Sequence, residues 1–191
     1  MGRAAKQQTY LSVDEFLDTY GGHIGRHELV DGIVRSMAPA SALHSQIQSR
    51  MLFALMSHLK KSGKPCEAVV EGAISLRMGA RDNLRAPDVI VNCSNKPLGK
   101  TFDSPVVIVE VLSPSNEPET WETIRACSTL ASVKEILVLS SDKRHAQAFR
   151  RAADGTWPPE PETIENSGPV AIKCIDFSVP LADLYAGTVL A

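Results

Sequence analysis

The segment 106–116, VVIVEVLSPSN, constrains the fold of this chain more than any other stretch. Its run of β-branched and aliphatic residues predicts a buried strand, and the turn-forming residues that follow end it. The run contains one carboxylate, Glu110. A buried carboxylate without a partner costs several kcal/mol, so we expect a hydrogen-bond donor, a cation or a metal ion beside Glu110.

The N-terminal part of the chain predicts two helices and a hairpin. Ser12 and Glu15 form a capping-box pattern that begins a short helix. HELVDGIVRSMAP predicts a hairpin that turns at Asp31-Gly32. From residue 42 to about 62, an apolar stripe with a helical period predicts a long helix. The stripe consists of Ile47, Met51, Leu55 and Leu59.

The remaining patterns alternate between strands and helices. EAVVEGAISLRM predicts a strand pair or a bulged strand bent at Gly72, ARDN a turn, and APDVIVN a short strand. A helix is expected after the strand predicted in segment 106–116, followed by the paired strands KEILVLSS and HAQAFRR. A Pro-rich surface excursion, a last strand AIKCIDF and a short closing helix complete the chain. This order predicts one α/β domain over residues 1–191, with its core at about 26–150.

Composition excludes several classes of protein. The chain has 191 residues, 43% hydrophobic and 22% charged, with a formal net charge of −2, so nucleic-acid binding would depend on a local basic surface. It has no apolar run of membrane-spanning length, no secretory signal and no P-loop. Its four cysteines form no metal-binding pair, which favours reduced thiols and a cytoplasmic location.

Three carboxylates stand out by their positions in or beside apolar strands. Asp88 follows Pro87 at the head of one strand, Glu110 lies within the next, and Glu71 ends the run AVVE. Neighbouring strands lie about 5 Å apart, so these acids could converge on a divalent cation such as Mg²⁺. The structural alternative is an ion-pair network with Arg77 or Arg85.

The successive motifs HELVDGIVRSMAPAS…H, LRAPDVIVN and VVIVEVLSPS resemble those of the Uma-type restriction endonuclease family, which has a PD-(D/E)XK nuclease-like fold. The resemblance extends from about Tyr10 to Tyr185. It implies a central mixed β-sheet flanked by helices, preceded by an N-terminal helix and a β-hairpin. It also implies a metal-dependent endodeoxyribonuclease.

The resemblance assigns roles to particular residues. Asp88 and Glu110 would be the two acids of the signature, binding Mg²⁺ or Mn²⁺. Glu71, which its position in the sequence and not the resemblance singles out, would be a further metal ligand. Glu28 and His44 match other recurring polar positions and would join the catalytic group. Each also has a structural interpretation, since Glu28 could pair across the hairpin and His44 could cap or enter the helix.

The chain departs from the family pattern at the catalytic lysine. The signature expects Glu-x-Lys, but Leu112 occupies its lysine position. In this family a lysine and a tyrosine lie instead on the following helix, and there Thr123 and Cys127 occupy their positions. Arg125 is two positions away and faces another side of that helix. Loss of such an electrostatic group commonly costs about two to three orders of magnitude in rate. Lys134 is a remote substitute.

Other candidate sites are weaker. His23 and His27 have a metal-ligand spacing, but neighbouring glycines predict a loop there. Ser113 lacks the context of a serine hydrolase. HLKKSGK and KRHAQAFRR are basic clusters that could contact a phosphate backbone.

Two functions therefore compete. The first is a metal-dependent endonuclease acting on nucleic acid, with DNA as the expected substrate and a homodimer as the expected assembly. The second is a catalytically inactive module of the same fold that binds nucleic acid or protein. A third interpretation makes Asp88 and Glu110 members of a structural ion-pair network.

Overall fold

The central element of the fold, in a computed structural model, is a six-stranded mixed sheet. The structure describes residues 9–21, 26–94, 99–166 and 168–191. The helices α1–α4 of this described part are Val13–Tyr20, Ala42–Ser62, Glu117–Ser128 and Leu181–Tyr185. The strands β1–β12 are His27–Val30, Ile33–Ser36, Glu67–Val70, Ile74–Met78, Arg81–Arg85, Val89–Asn92, Pro105–Leu112, Glu135–Ser140, His145–Arg150, Glu162–Glu165, Pro169–Ile172 and Phe177–Pro180.

The six-stranded sheet has the order β10-β9-β8-β7-β6-β3. Its two longest apolar runs, β7 and β8, pair in parallel, and the other neighbours pair antiparallel. Helix α3 makes the crossover that a parallel pair requires. Strands covered on both faces have apolar residues at successive positions, as β7 does. The predicted mixed sheet flanked by helices is confirmed.

The alternating residues of β7 face two different parts of the core. Val107, Val109 and Val111 join the cluster formed with the stripe of α2. Ile108 and Leu112 belong to the cluster on the side of α3. Because side chains alternate along a strand, Glu110 lies on the α3 face between these two apolar residues. The α2 cluster also includes seven buried residues between positions 170 and 185, so the hydrophobic core extends beyond the predicted limit of about 150.

A second sheet has the order β2-β1-β5-β4. The predicted hairpin turns at Asp31 and Gly32, both with positive φ. The predicted turn at ARDN is displaced: the chain turns at Gly79-Ala80, and the remaining residues of the segment, 81–83, belong to β5. Strand β5 pairs with both β4 and β1, and this long-range pairing overrides the local turn propensity of Asp and Asn.

Two C-terminal predictions are also corrected. The Pro-rich excursion contains β10, which pairs with β9 at the edge of the main sheet. The predicted strand AIKCIDF is interrupted by a 3-10 turn over Lys173–Ile175. Asp176 follows with φ of 58°, so the backbone reverses there and β12 returns antiparallel to β11.

The expectation of four reduced cysteines is wrong for one pair. Cys66 and Cys93 form a disulfide, whereas Cys127 and Cys174 are free. Strands β3 and β6 pair antiparallel with Glu67 opposite Asn92, so the residues flanking this pair face each other. The sequence separation of 27 hides that proximity. The cytoplasmic location remains a prediction. Separately, none of the described helices is long and apolar enough to cross a bilayer.

We predict that replacing Cys66 and Cys93 together with serine lowers the free energy of unfolding by about 3 kcal/mol. The disulfide joins two residues that are 27 positions apart in the sequence, and it therefore restricts the conformations of the unfolded chain. Urea unfolding with and without reductant measures the effect. Reductant should destabilise the wild type by a similar amount and leave the double variant unchanged. Equal sensitivity of both proteins to reductant would contradict the prediction.

Candidate active site

Asp88 is buried at the start of β6 and is held by three hydrogen-bond donors. His44 Nε2 lies 3.0 Å from Asp88 Oδ1, and an Arg26 guanidinium nitrogen lies 3.4 Å from the same oxygen. The backbone N–H of Val111 donates to Oδ2 at 2.8 Å. Burial opposes ionisation of Asp88, but the His44 hydrogen bond and these other donors lower its pKa overall. Asp88 is therefore held as a carboxylate.

Glu110 is the second buried acid, on the neighbouring strand β7. Val109 pairs with Val89 in the register of the two strands, which brings the residues after 109 beside Asp88. Burial raises the pKa of Glu110 well above its usual range, and the charge of Asp88 and a hydrogen bond with it add to the effect. The two acids thus share one site, and they resist joint ionisation without a cation between them.

His44 and Gln48 fix Asp88 from helix α2. Ser41 caps this helix, since its hydroxyl accepts the N–H of His44 at 3.2 Å. One turn further along, the Gln48 amide donates to the backbone oxygen of Asp88 at 2.8 Å. Residues four apart lie on one side of a helix, so both polar side chains reach the same acid. The prediction that His44 enters the helix is consistent with this position.

Glu28 lies in a buried ion-pair network next to the two acids. Its Oε1 accepts the N–H of Ala86 at 2.9 Å, and its Oε2 lies 3.3 Å from Arg85. Arg85 also contacts Glu122 at 3.1 Å, and Glu122 contacts Arg35 at 2.7 Å. Arg85, which the sequence offered as a partner of Glu110, is therefore paired with other acids. Glu28 supports the backbone two residues before Asp88.

Arg26 is a site residue that the sequence analysis missed. Besides Asp88, its guanidinium contacts the backbone oxygen of Ala86 at 2.7 Å and Glu71 at 3.5 Å. The only sequence signal was its position immediately before the predicted hairpin, two residues before Glu28. Arg26 supplies a positive charge at the acids.

The side chains at the expected lysine and tyrosine positions bring no charge. Thr123 is buried and lines the small space around Asp88 and Glu110. Cys127 is a buried thiol whose pKa is raised by desolvation and by the nearby acids. Arg125 is exposed on α3, and Lys134 bonds a carbonyl oxygen of its own loop. His23 lies outside the described residues, whereas His27 begins β1.

The acids open toward a large cleft. The space beside Asp88 and Glu110 is about 20 Å³, enough for one small ion or water. Next to it lies a cleft of about 680 Å³, which we call the main cleft. Its lining includes Arg26, Arg35, Ser41, His44, Ser113 and Asn116. The lining also includes one acid, Glu119, and both arginines are paired with carboxylates. Cationic side chains still outnumber acidic ones on the wall, and with the neutral donors they suit an anionic substrate.

The described residues contain no group of three or more His, Cys, Asp or Glu side chains arranged to hold a metal ion. Glu71 is partly exposed and contacts Arg26, and both Glu28 oxygens have partners. Asp88 and Glu110 remain as candidate ligands because their carboxyl groups are adjacent, although Asp88 Oδ1 also contacts His44 and Arg26 and its Oδ2 accepts the Val111 N–H. One or two carboxylates completed by water suffice for Mg²⁺, so these residues fit the ion that the fold family implies.

Comparison with solved structures places the fold of this chain in a class. A structure from Anabaena variabilis ATCC 29413, described as "a putative nuclease belonging to DUF820", has the same fold with a TM-score of 0.74. The match covers 92% of this chain and 98% of that one at 19% identity. The fold is therefore nuclease-like.

The family follows from the sequence match. The family Uma2, described as "Putative restriction endonuclease", matches residues 13–174, and the chain belongs to that family. The resemblance found in the sequence motifs is confirmed. A search of curated proteins gave no match.

Proposed function

We propose that this protein is a metal-dependent endonuclease that hydrolyses phosphodiester bonds in DNA. Asp88 and Glu110 would hold Mg²⁺ or Mn²⁺ at the edge of the main cleft. The observation that carries the proposal is the burial of these two acids side by side next to a cleft with cationic and neutral donors. A bound divalent cation there supplies a Lewis acid and lowers the pKa of a coordinated water.

The protein's own residues keep the acids in place. His44 and the N–H of Val111 orient the Asp88 carboxylate, and Gln48 fixes its backbone. Glu28 acts through the N–H of Ala86, so we assign it a positioning role. Fixed outer partners of this kind commonly affect metal affinity or activity by about 10- to 100-fold.

Arg26 would take over the electrostatic role of the missing lysine. Its guanidinium lies at the acids and lines the main cleft, where the scissile phosphate would bind. Preorganised positive charge at a developing negative charge stabilises the transition state. Thr123, in contrast, leaves a neutral side chain at the family's lysine position.

We predict that Arg26→Met lowers DNA cleavage by about 100- to 1,000-fold. Mn²⁺ affinity should stay equal or increase, because the guanidinium repels a divalent cation bound to Asp88. Single-turnover cleavage and calorimetry measure the two effects separately.

The matched control is Arg125→Met, which removes an exposed arginine of α3. This variant should cleave at the wild-type rate, and Arg26→Lys should retain more activity than Arg26→Met. Equal losses for Arg125→Met and Arg26→Met would overturn the proposed role of Arg26.

Calorimetric titration with Mn²⁺, followed by assays on plasmid DNA, tests the proposed function. Stoichiometric binding and metal-dependent nicking are expected. If both strands are to be cut at one place, two copies of the site are needed, so we expect a homodimer under those conditions. Sedimentation analysis with and without DNA measures that assembly.

The alternative is a nuclease-fold module that binds nucleic acid without cleaving it. The ion pair between Arg26 and Asp88 and the neutral Thr123 favour this alternative, because an arginine can replace a metal as the partner of the carboxylate. DNA binding without Mn²⁺ binding or cleavage would support it.

A further inference from the structure

A second pocket, which we call the α3 pocket, lies beside the first turns of helix α3. Its volume is about 280 Å³. The lining includes Leu112, Glu117, Trp121, Val138, Lys143 and Gln147. This volume is just below that of pockets for drug-sized ligands, about 300–1,000 Å³, and suits one planar ring system.

The α3 pocket is close to the two acids and on the same sheet face. Leu112 follows Glu110 by two positions on β7, which is about 7 Å along a strand and returns to the same face. The first turns of α3 separate the two spaces. Glu117 and Trp121, four residues apart, line the α3 pocket, whereas Thr120 and Thr123 line the space around the acids.

The aromatic wall of the α3 pocket is held in place. The indole N–H of Trp121 donates to Glu117 Oε1 at 3.4 Å. The Trp121 ring also packs edge-on against Phe149, with centroids 6.1 Å apart and an interplanar angle of 86°. A fixed indole is a surface on which a flat ligand can stack.

Strand β9 supplies a hydrogen-bonding side chain to the pocket. Gln147 alternates with buried Ala146 and Ala148 on β9, so its side chain points to the α3 side. Its amide makes no side-chain hydrogen bond within the described residues. An amide can donate and accept at once, which allows it to bond to a ring edge that presents both groups.

The charges of the pocket disfavour a phosphate there. Glu117 and Asp142 are acidic, Lys143 is basic, and His145 lies within 4.0 Å of Glu165. These charges are mixed in sign, whereas the main cleft is lined by two arginines, Arg26 and Arg35, and one acid, Glu119. A neutral ring fits the α3 pocket, while the main cleft fits the anionic backbone.

We infer that the α3 pocket binds an unstacked nucleobase of the substrate strand. The base stacks on Trp121, and Gln147 hydrogen-bonds its edge, with adenine favoured because an amide pairs with its N6 and N7. This inference rests on the proposed nuclease function, and it adds a residue that reads sequence beside the scissile phosphate.

Trp121 fluorescence of the full-length protein in EDTA tests the inference without any cleavage. The chain has two tryptophans, so Trp157→Phe leaves Trp121 as the only reporter, and Trp121→Phe leaves Trp157. The probe is a short single-stranded oligodeoxyadenylate. Saturable quenching is expected in the Trp157→Phe protein and absent in the Trp121→Phe protein. Gln147→Leu in the Trp157→Phe background should weaken binding about tenfold.

Three results would overturn the inference. The first is that the oligonucleotide does not quench Trp121 fluorescence. The second is that an abasic oligonucleotide of the same length quenches it equally, and the third is that Gln147→Leu leaves the affinity for the oligonucleotide unchanged. Glu110→Gln separates this inference from the nuclease proposal. Quenching retained in that variant, without cleavage by the wild type, supports the base pocket and contradicts the nuclease. Cleavage that depends on Glu110, without quenching, supports the nuclease and overturns the base pocket.

Discussion

Replacing Glu110 with glutamine is expected to lower DNA cleavage by at least about a hundred- to a thousandfold. Glutamine keeps the shape of the side chain and removes the charge that would hold the cation. Calorimetric Mn²⁺ binding should be lost in parallel with cleavage. Single-turnover assays at saturating metal and DNA measure the chemical loss.

The fold should survive the Glu110 substitution. Burial raises the pKa of this acid, so the ionised side chain opposes folding as pH rises above the ordinary carboxyl range. Glutamine removes that penalty. The free energy of unfolding in EDTA should therefore increase or change by less than about 1 kcal/mol. Urea unfolding monitored by circular dichroism measures it.

The control for Glu110 is Glu67→Gln, on the exposed edge strand of the same sheet. This variant should bind Mn²⁺ and cleave DNA like the wild type. If Glu110→Gln retained stoichiometric Mn²⁺ binding, the metal ligands would lie elsewhere. If it unfolded while Glu67→Gln did not, Glu110 would have a structural role, as the ion-pair interpretation requires.

The elements that position the site were predictable because their signals are local. The stripe of α2 repeats with the helical period, and its buried members are those the period selects. The run of β7 is apolar on both faces, so its burial needs no knowledge of its neighbours. Asp88 directly precedes one such apolar run, and Glu110 interrupts another. Both acids stood out in the sequence for this reason.

The network around the acids was not predictable, because it depends on pairing between distant segments. Arg26 reaches Asp88 from 62 positions away, and Arg35 reaches Glu122 from 87. No local periodicity encodes these contacts. Strand β5 was missed for a related reason, since ARDN favours a turn until β1 and β4 pair on its two sides.

Replacing Arg85 with methionine is expected to lower the free energy of unfolding by about 3–5 kcal/mol. Arg85 is among the largest fully buried side chains, and it is the partner of both Glu28 and Glu122. Methionine fills similar space but leaves the buried Glu28 carboxylate without its cation. Ala86 N–H alone would then stabilise Glu28. Urea unfolding with comparison of the m-values measures the loss.

Two variants make the Arg85 prediction specific. Arg77→Met removes an exposed arginine from the adjacent strand β4 and should change stability by less than about 0.5 kcal/mol. Adding Glu28→Gln to Arg85→Met should restore part of the loss, because no buried charge then remains unpaired. A double variant as unstable as Arg85→Met would show that packing, and not the charge of Glu28, determines the effect. Equal losses for Arg77→Met and Arg85→Met would contradict the importance of burial.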